Sequence, residues 1–244
     1  MVASLLLAGC SYVSTRSVGD VLEGVEARGR QEYSRGNFEG AREDWQHGLQ
    51  LAGQHGRSDM QARFLTNLAR VDEESGKYQE AWQQAARAVE VARSIPSDSL
   101  ESYALVEVAQ AQRRLSQYTG AKQNLEAALQ IARQLNDPKL ECNILRGLGA
   151  VADSEGRRSD AVRHYEESLA AARAARDPMC AAQTLNNLGG LYRSIAKYET
   201  AIRYYEDSLE LRRKLGDLHG QAKVLGNLCN VHEQLNDYEA AKAN

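Results

Sequence analysis

The chain has 244 residues, of which 43% are hydrophobic and 26% charged, with 30 Lys and Arg against 33 Asp and Glu for a net charge of -3. A balance so close to neutral supplies no basic stripe to displace counterions from phosphates, so no nucleic-acid partner is expected. No stretch approaches the ~20 apolar residues of a membrane-spanning helix, and the three prolines, Pro96, Pro138 and Pro178, leave long helices almost uninterrupted.

The chain opens with MVASLLLAGC, a short apolar run that ends in Leu7, Ala8 and Gly9 before Cys10. No Lys or Arg precedes the run, which barely reaches the ~7 residues of a signal-peptide core. The segment resembles the end of a bacterial lipoprotein signal peptide. That resemblance implies lipidation of Cys10, and Ser11 in place of Asp resembles the outer-membrane sorting rule. Residues 1–17 therefore read as signal end and tether, with a lipid at Cys10 as the sole membrane attachment and the bacterial envelope as the location.

Residues 18–244 repeat. An aromatic followed three positions later by alanine recurs every 40 residues, as Phe38/Ala41, Tyr78/Ala81, Tyr118/Ala121, Tyr198/Ala201 and Tyr238/Ala241, and Arg158/Ala161 keeps the alanine alone. A second register agrees: Val25, Leu65, Leu105, Leu145, Leu185 and Leu225, then Leu68, Val108, Leu148, Leu188 and Leu228, each of these five followed by a small residue. Within a unit the apolar positions fall at spacings of three and four, which predicts two amphipathic helices and no strand. The first ends at a left-handed turn residue, Gly36, Gly76, Gly156 or Asn236. Asp137-Pro138 and Asp177-Pro178 supply an N-cap and a proline in the first turn of the next unit. No unit can bury its apolar face alone, whereas a stack can. The units fall near 18–57, 58–97, 98–137, 138–177, 178–217 and 218–244, the last of them incomplete.

Arg28 occupies the slot of Leu68 and Leu148, where the side chain would pack on a preceding unit, so unit one is expected to be the start of the array, because a buried unpaired charge is costly. At the other end, a second helix of unit six is expected to start at Tyr238 and stop at Asn244, too short to cover Leu225 and Leu228.

The fifth unit carries Leu188, Gly189, Tyr192, Ala201 and Tyr205, with Ser208 in place of a final alanine. This pattern resembles the tetratricopeptide repeat, and the 40-residue period resembles the longer-helix branch of kinesin light chains and Leu-Gly-Asn repeat adaptors. The resemblance implies an all-α, right-handed superhelical solenoid whose first helices line a concave peptide-binding groove.

On the first helices, a second face away from the core stripe carries Arg63, Thr66, Arg70 and Glu73; then Tyr103, Val106, Gln110 and Arg113; then Asn143, Arg146, Ala150 and Asp153. Units five and six add Asn186, Gly190, Arg193, Lys223 and Asn230. Arginine suits bidentate capture of carboxylates and amides hold an extended backbone, so Arg63, Arg70, Tyr103, Arg113, Asn143, Arg146, Asn186, Arg193, Lys223 and Asn230 are the candidate groove residues for an acidic protein or peptide segment.

No residue set points to chemistry. Cys142, Cys180 and Cys229 align with small or apolar packing positions, their spacings of 38 and 49 fit no zinc motif, and they read as buried small hydrophobes. Three leftover thiols weigh against an oxidising compartment. The histidines His47, His55, His164, His219 and His232 form no ligand pair at i and i+4. No phosphate-cradling loop or nucleophile motif appears, so neither a cofactor nor a metal nor catalysis is expected. The leading expectation is a non-enzymatic scaffold tethered through Cys10. The alternative is the sensor or substrate-docking part of a larger signalling protein, such as a caspase-like protease.

Overall fold

The computed structural model describes residues 17–243, with side chains over 17–236. Among the described residues there are eleven helices and no strand. In chain order these are α1 (Val18–Arg35), α2 (Phe38–Gln54), α3 (Ser58–Glu74), α4 (Tyr78–Arg93), α5 (Asp98–Arg114), α6 (Tyr118–Gln134), α7 (Pro138–Ser154), α8 (Arg158–Ala175), α9 (Pro178–Ser194), α10 (Tyr198–Leu215) and α11 (Leu218–Ala243). Cys10 and its tether lie outside the described residues.

Caps anchor the helices where the sequence places them. Ser17 Oγ accepts from the Asp20 amide and Asp20 Oδ2 accepts from the Ser17 amide, both at 3.1 Å, which closes a capping box on α1. Asp137 accepts from the Lys139 and Leu140 amides, and Asp177 from those of Met179 and Cys180, each at 3.0 Å. Gly36, Gly76 and Gly156 take positive φ at their turns, as expected, but the corresponding turns of units three and five use Ser116 and Ala196 at φ 59° and 56°.

Packing follows the small residues of the first helices. A Cβ added to Gly149 or Gly189 would meet the ring of Tyr165 or Tyr205 at 2.6 Å, so the absent side chain is what lets the second helix of each unit lie close. Trp45, Phe64, Leu125, Leu140, Ile144 and Leu188 are among the fully buried side chains, which fall into successive apolar clusters along the array. Arg28 faces solvent with its side chain 59% exposed, 3.2 Å from Asp44.

Two expectations are corrected. Cys142 and Cys180 are buried, but as a disulfide joining α7 to α9, with Cα atoms 6.5 Å apart, and not as free small hydrophobes. Consecutive first helices lie side by side with a period of 40, so positions 38 apart on them are neighbours even though no local spacing motif marks the pair. Unit six does not turn at Asn236: α11 runs straight through from Leu218 to Ala243. A turn there would put Asn236 in a left-handed conformation for a second helix of only seven residues, whereas continuing keeps every i to i-4 hydrogen bond. Consequently Leu225 is 47% exposed, and Cys229 is an exposed free thiol instead of a packing residue.

Candidate functional site

The first helices form the inner wall of the solenoid. α3 touches α5, α5 touches α7, α7 touches α9 and α9 touches α11, while no two second helices meet. The layer whose neighbours are closer is the concave one. α1 also touches α11, so the two ends of the array meet.

That meeting uses one candidate groove residue, Lys223, together with Glu74 and His219, which the repeat pattern does not bring together. Lys223 Nζ on α11 donates to both carboxylate oxygens of Glu74 at the end of α3, at 2.8 and 2.7 Å. His219 stands with Nε2 3.6 Å from the same carboxylate, its ring edge-on to Phe38 at 4.9 Å and to Tyr33 at 6.1 Å. Burial works to raise the Glu74 pKa, but His219 and Lys223 together overcome it and hold the carboxyl at about 2.

Deeper in the wall, Glu107 on α5 lies within electrostatic reach of Arg70 on α3 and Arg146 on α7. Burial pushes its carboxyl up to about 7, against the pull of those two guanidinium groups and with the help of Glu73. Arg70 stacks over the Tyr33 ring at 5.0 Å. Arg146 donates from Nη2 to Asn143 Oδ1 at 3.3 Å, and its pKa is lowered by burial against the opposing effect of Glu107. Burial also lowers that of Arg113, with Arg114 beside it. The Nε atoms of Arg146 and Arg193 are buried with no hydrogen-bond partner, leaving donor capacity on this wall.

The candidate residues thus divide. Arg70, Arg113, Asn143 and Arg146 gather around Glu107 and Glu73, and Arg193 lies against Tyr205 one unit on. Arg63 is committed to Glu26 at 2.6 Å and Lys223 to Glu74. Asn186 accepts from Asn227 at 3.0 Å, Tyr103 is partly buried, and Asn230 is exposed. Glu107 had a sequence signal: its register holds Ala27, Asn67, Gly147, Asn187 and Asn227 in the other units, so a carboxylate there is the exception. Among the described residues no group of three or more His, Cys, Asp or Glu could hold a metal ion, and no helix is long and apolar enough to cross a membrane.

The tetratricopeptide repeat family model matches residues 100–174 and 180–244. No curated protein sequence matches the chain. Among similar solved structures, the Rap conjugation gene regulator of plasmid pLS20 in complex with the Phr* peptide aligns at a TM-score of 0.71 and 16% identity, covering 90% of this chain and 62% of that one. A Rap protein complexed with competence and sporulation factor aligns at 0.64 and 15%, covering 91% and 66%. A signal transduction ATPase with numerous domains and a tetratricopeptide repeat sensor, from Pyrococcus horikoshii, aligns at 0.65 and 17%, covering 91% and 33%. The chain therefore spans less than two thirds of the length of two of these proteins and just under that of the third, and at such identities the likeness is one of fold.

Proposed function

The chain belongs to the tetratricopeptide repeat family, and from that premise we propose that it is a non-enzymatic scaffold whose concave wall holds an acidic protein or peptide segment. The observation that carries this reading is the half-buried cluster of Arg70 and Arg146 around Glu107, with Arg113 near Glu73 beside it and the Nε of Arg146 unpartnered. A carboxylate entering there replaces lost water with charge-assisted hydrogen bonds, each worth roughly 1.5 to 3 kcal/mol when desolvated. Two of the similar structures are complexes, one with the Phr* peptide and one with competence and sporulation factor, which agrees with this use of the fold.

The envelope location and the lipid at Cys10 belong to the same proposal. The Cys142–Cys180 disulfide supports an oxidising compartment and removes the weight that three free thiols placed against export. The second reading, a sensor or docking part of a larger signalling protein, draws on the Pyrococcus horikoshii ATPase, in which the matched region covers 33% of the chain.

Fluorescence anisotropy with an acidic peptide and a neutral scramble tests the groove. Arg146→Glu is expected to weaken the acidic peptide by tenfold or more, about 1.4 kcal/mol, and to flatten its salt dependence. Equal affinity for mutant and wild type rejects the site. Fatty-acid labelling that survives Cys10→Ser rejects the anchor separately.

A further inference from the structure

The arginines of the concave wall are held without ion pairs. Among the described residues no carboxylate lies within 4.0 Å of Arg70 on α3, Arg113 on α5, Arg146 on α7 or Arg193 on α9. Glu107 on α5 faces two of them, Arg70 on one neighbouring first helix and Arg146 on the other. It makes an ion pair with neither, and its carboxylate accepts instead from Gln110 Nε2 at 3.1 Å. Arg70, Glu107 and Arg146 are each half-buried, so water reaches the space between them and a ligand side chain can follow.

The charges around Glu107 come from every helix packed on it. α3 brings Arg70 and Glu73, of which Glu73 is engaged by Arg114 at 3.0 Å. α7 brings Arg146, which is also within electrostatic reach of Arg70 and of Tyr165 on α8. α1 brings Tyr33, whose ring lies under Arg70. Two cations thus share one carboxyl, and a ligand carboxylate brought between them makes two, with Glu73 a third close by. Carboxylates crowded into one site do not all ionise, and the proton goes to the group that burial already favours in its neutral form. Glu107 is that group. As an acid it donates its O–H to the incoming carboxylate in a short, charge-assisted hydrogen bond, and both guanidinium groups turn to the ligand.

We propose that Glu107 gates this wall: an acidic side chain enters between Arg70 and Arg146, Glu107 binds it as a neutral acid, and binding takes up one proton from solution wherever Glu107 begins ionised. The inference rests on the reading of the wall as a site for an acidic segment and adds its regulation, since the ligand is held below neutral pH and released above it. An uncharged segment has no charge to set against the proton, so the pH dependence belongs to acidic ligands.

The test uses the 244-residue chain and an acetylated, amidated peptide of alternating Asp and Gly, rhodamine-labelled for anisotropy, at about 0.15 M salt. Its carboxylates stay ionised from pH 6 to pH 8. With the Glu107 carboxyl at about 7 in the free chain, the protonated fraction drops from about nine-tenths to about one-tenth over that range, so affinity should fall about tenfold. Calorimetry with the unlabelled peptide at pH 7.5, in phosphate and in Tris, whose ionisation heats differ, should report uptake of roughly three-quarters of a proton per peptide. Glu107→Gln is neutral at every pH and still a donor, so it should bind at pH 8 as the wild type binds at pH 6, without proton uptake and with an unchanged helical circular dichroism spectrum. Glu107→Asp keeps a titrating carboxyl and should keep a pH dependence, which separates the charge from the packing. Wild-type affinity that stays flat from pH 6 to pH 8 overturns the inference, and if Arg146→Glu still weakens the peptide, the groove reading stands without it. A decline shared in full by Glu107→Gln also overturns it, and assigns the proton to another group such as His219. No binding by either protein at any pH overturns both readings.

Discussion

Glu74 and Lys223 lie 149 positions apart in sequence and form a two-pronged ion pair at 2.7 and 2.8 Å. Their contact joins the second unit to the last helix, and His219 adds a ring against Phe38 and Tyr33 of the first unit. The ends of the solenoid therefore hold each other, although repeat arrays otherwise contact only their neighbours. Lys223 is 49% exposed, so the pair is screened by salt and contributes modestly, on the order of 0.2–1 kcal/mol.

This contact has a pH signature. Glu74 is held at about 2 against an ordinary 4.5. A carboxylate with a depressed folded-state pKa stabilises fully above its unfolded value and loses that contribution as pH falls from 4.5 through 2. Urea unfolding at pH 6 and pH 2.5 should show a larger acid loss for the wild type than for Glu74→Gln. An identical loss in both proteins would mean that the end-to-end contact does not form in solution.

Glu107 carries the opposite sign. Its folded pKa of about 7 exceeds the ordinary 4.5, so the folded chain holds an extra proton between these values and stability falls as pH rises across that window. Glu107→Gln should remove this slope, and at pH 8 the variant should be at least as stable as the wild type. A variant that is less stable at pH 8 would show that the Arg70 and Arg146 interactions outweigh the burial of the charge.

Ala196 sits in the turn between α9 and α10 at φ 56°, where units one, two and four have glycine. The left-handed conformation costs a residue with a Cβ about 1–2 kcal/mol, and glycine returns part of that gain through its freer unfolded chain. Ala196→Gly should raise stability by about 0.5–1 kcal/mol, read as a shifted urea midpoint with an unchanged slope. No shift would indicate that the turn relaxes to accommodate alanine.

What could be read from sequence was what each unit settles within itself. The paired helices, the caps at Asp137 and Asp177 and the small residues under Tyr165 and Tyr205 all follow from spacing inside one 40-residue unit. The Glu74–Lys223 contact depends on curvature, the sum of small rotations between units, and no single unit encodes it. Register places the candidate residues on the first helices, but it does not tell which basic side chains already have partners, since Glu26 and Glu74 come from other units to occupy Arg63 and Lys223. The straight course of α11 was missed because Asn236 tolerates a turn without requiring one.

The disulfide makes the last prediction. Cys142 and Cys180 enclose a segment with a sequence separation of 38, and they tie the first helix of unit four to that of unit five. On the loop-entropy account, closing a loop of that length stabilises the fold by about 4 kcal/mol, and native strain lowers the figure. In an array whose units open separately, the loss on reduction should be local before it is global. Hydrogen exchange in reducing buffer should therefore accelerate over α7 to α9 first, while α3 to α5 keep their protection. Cys180→Ala should reproduce the effect without reductant and be insensitive to it, because the buried site then holds one small apolar side chain and one thiol. Unchanged exchange over α7 to α9 on reduction, with a free-thiol count showing two additional reactive cysteines, would mean that packing of the two helices holds these units without the bond.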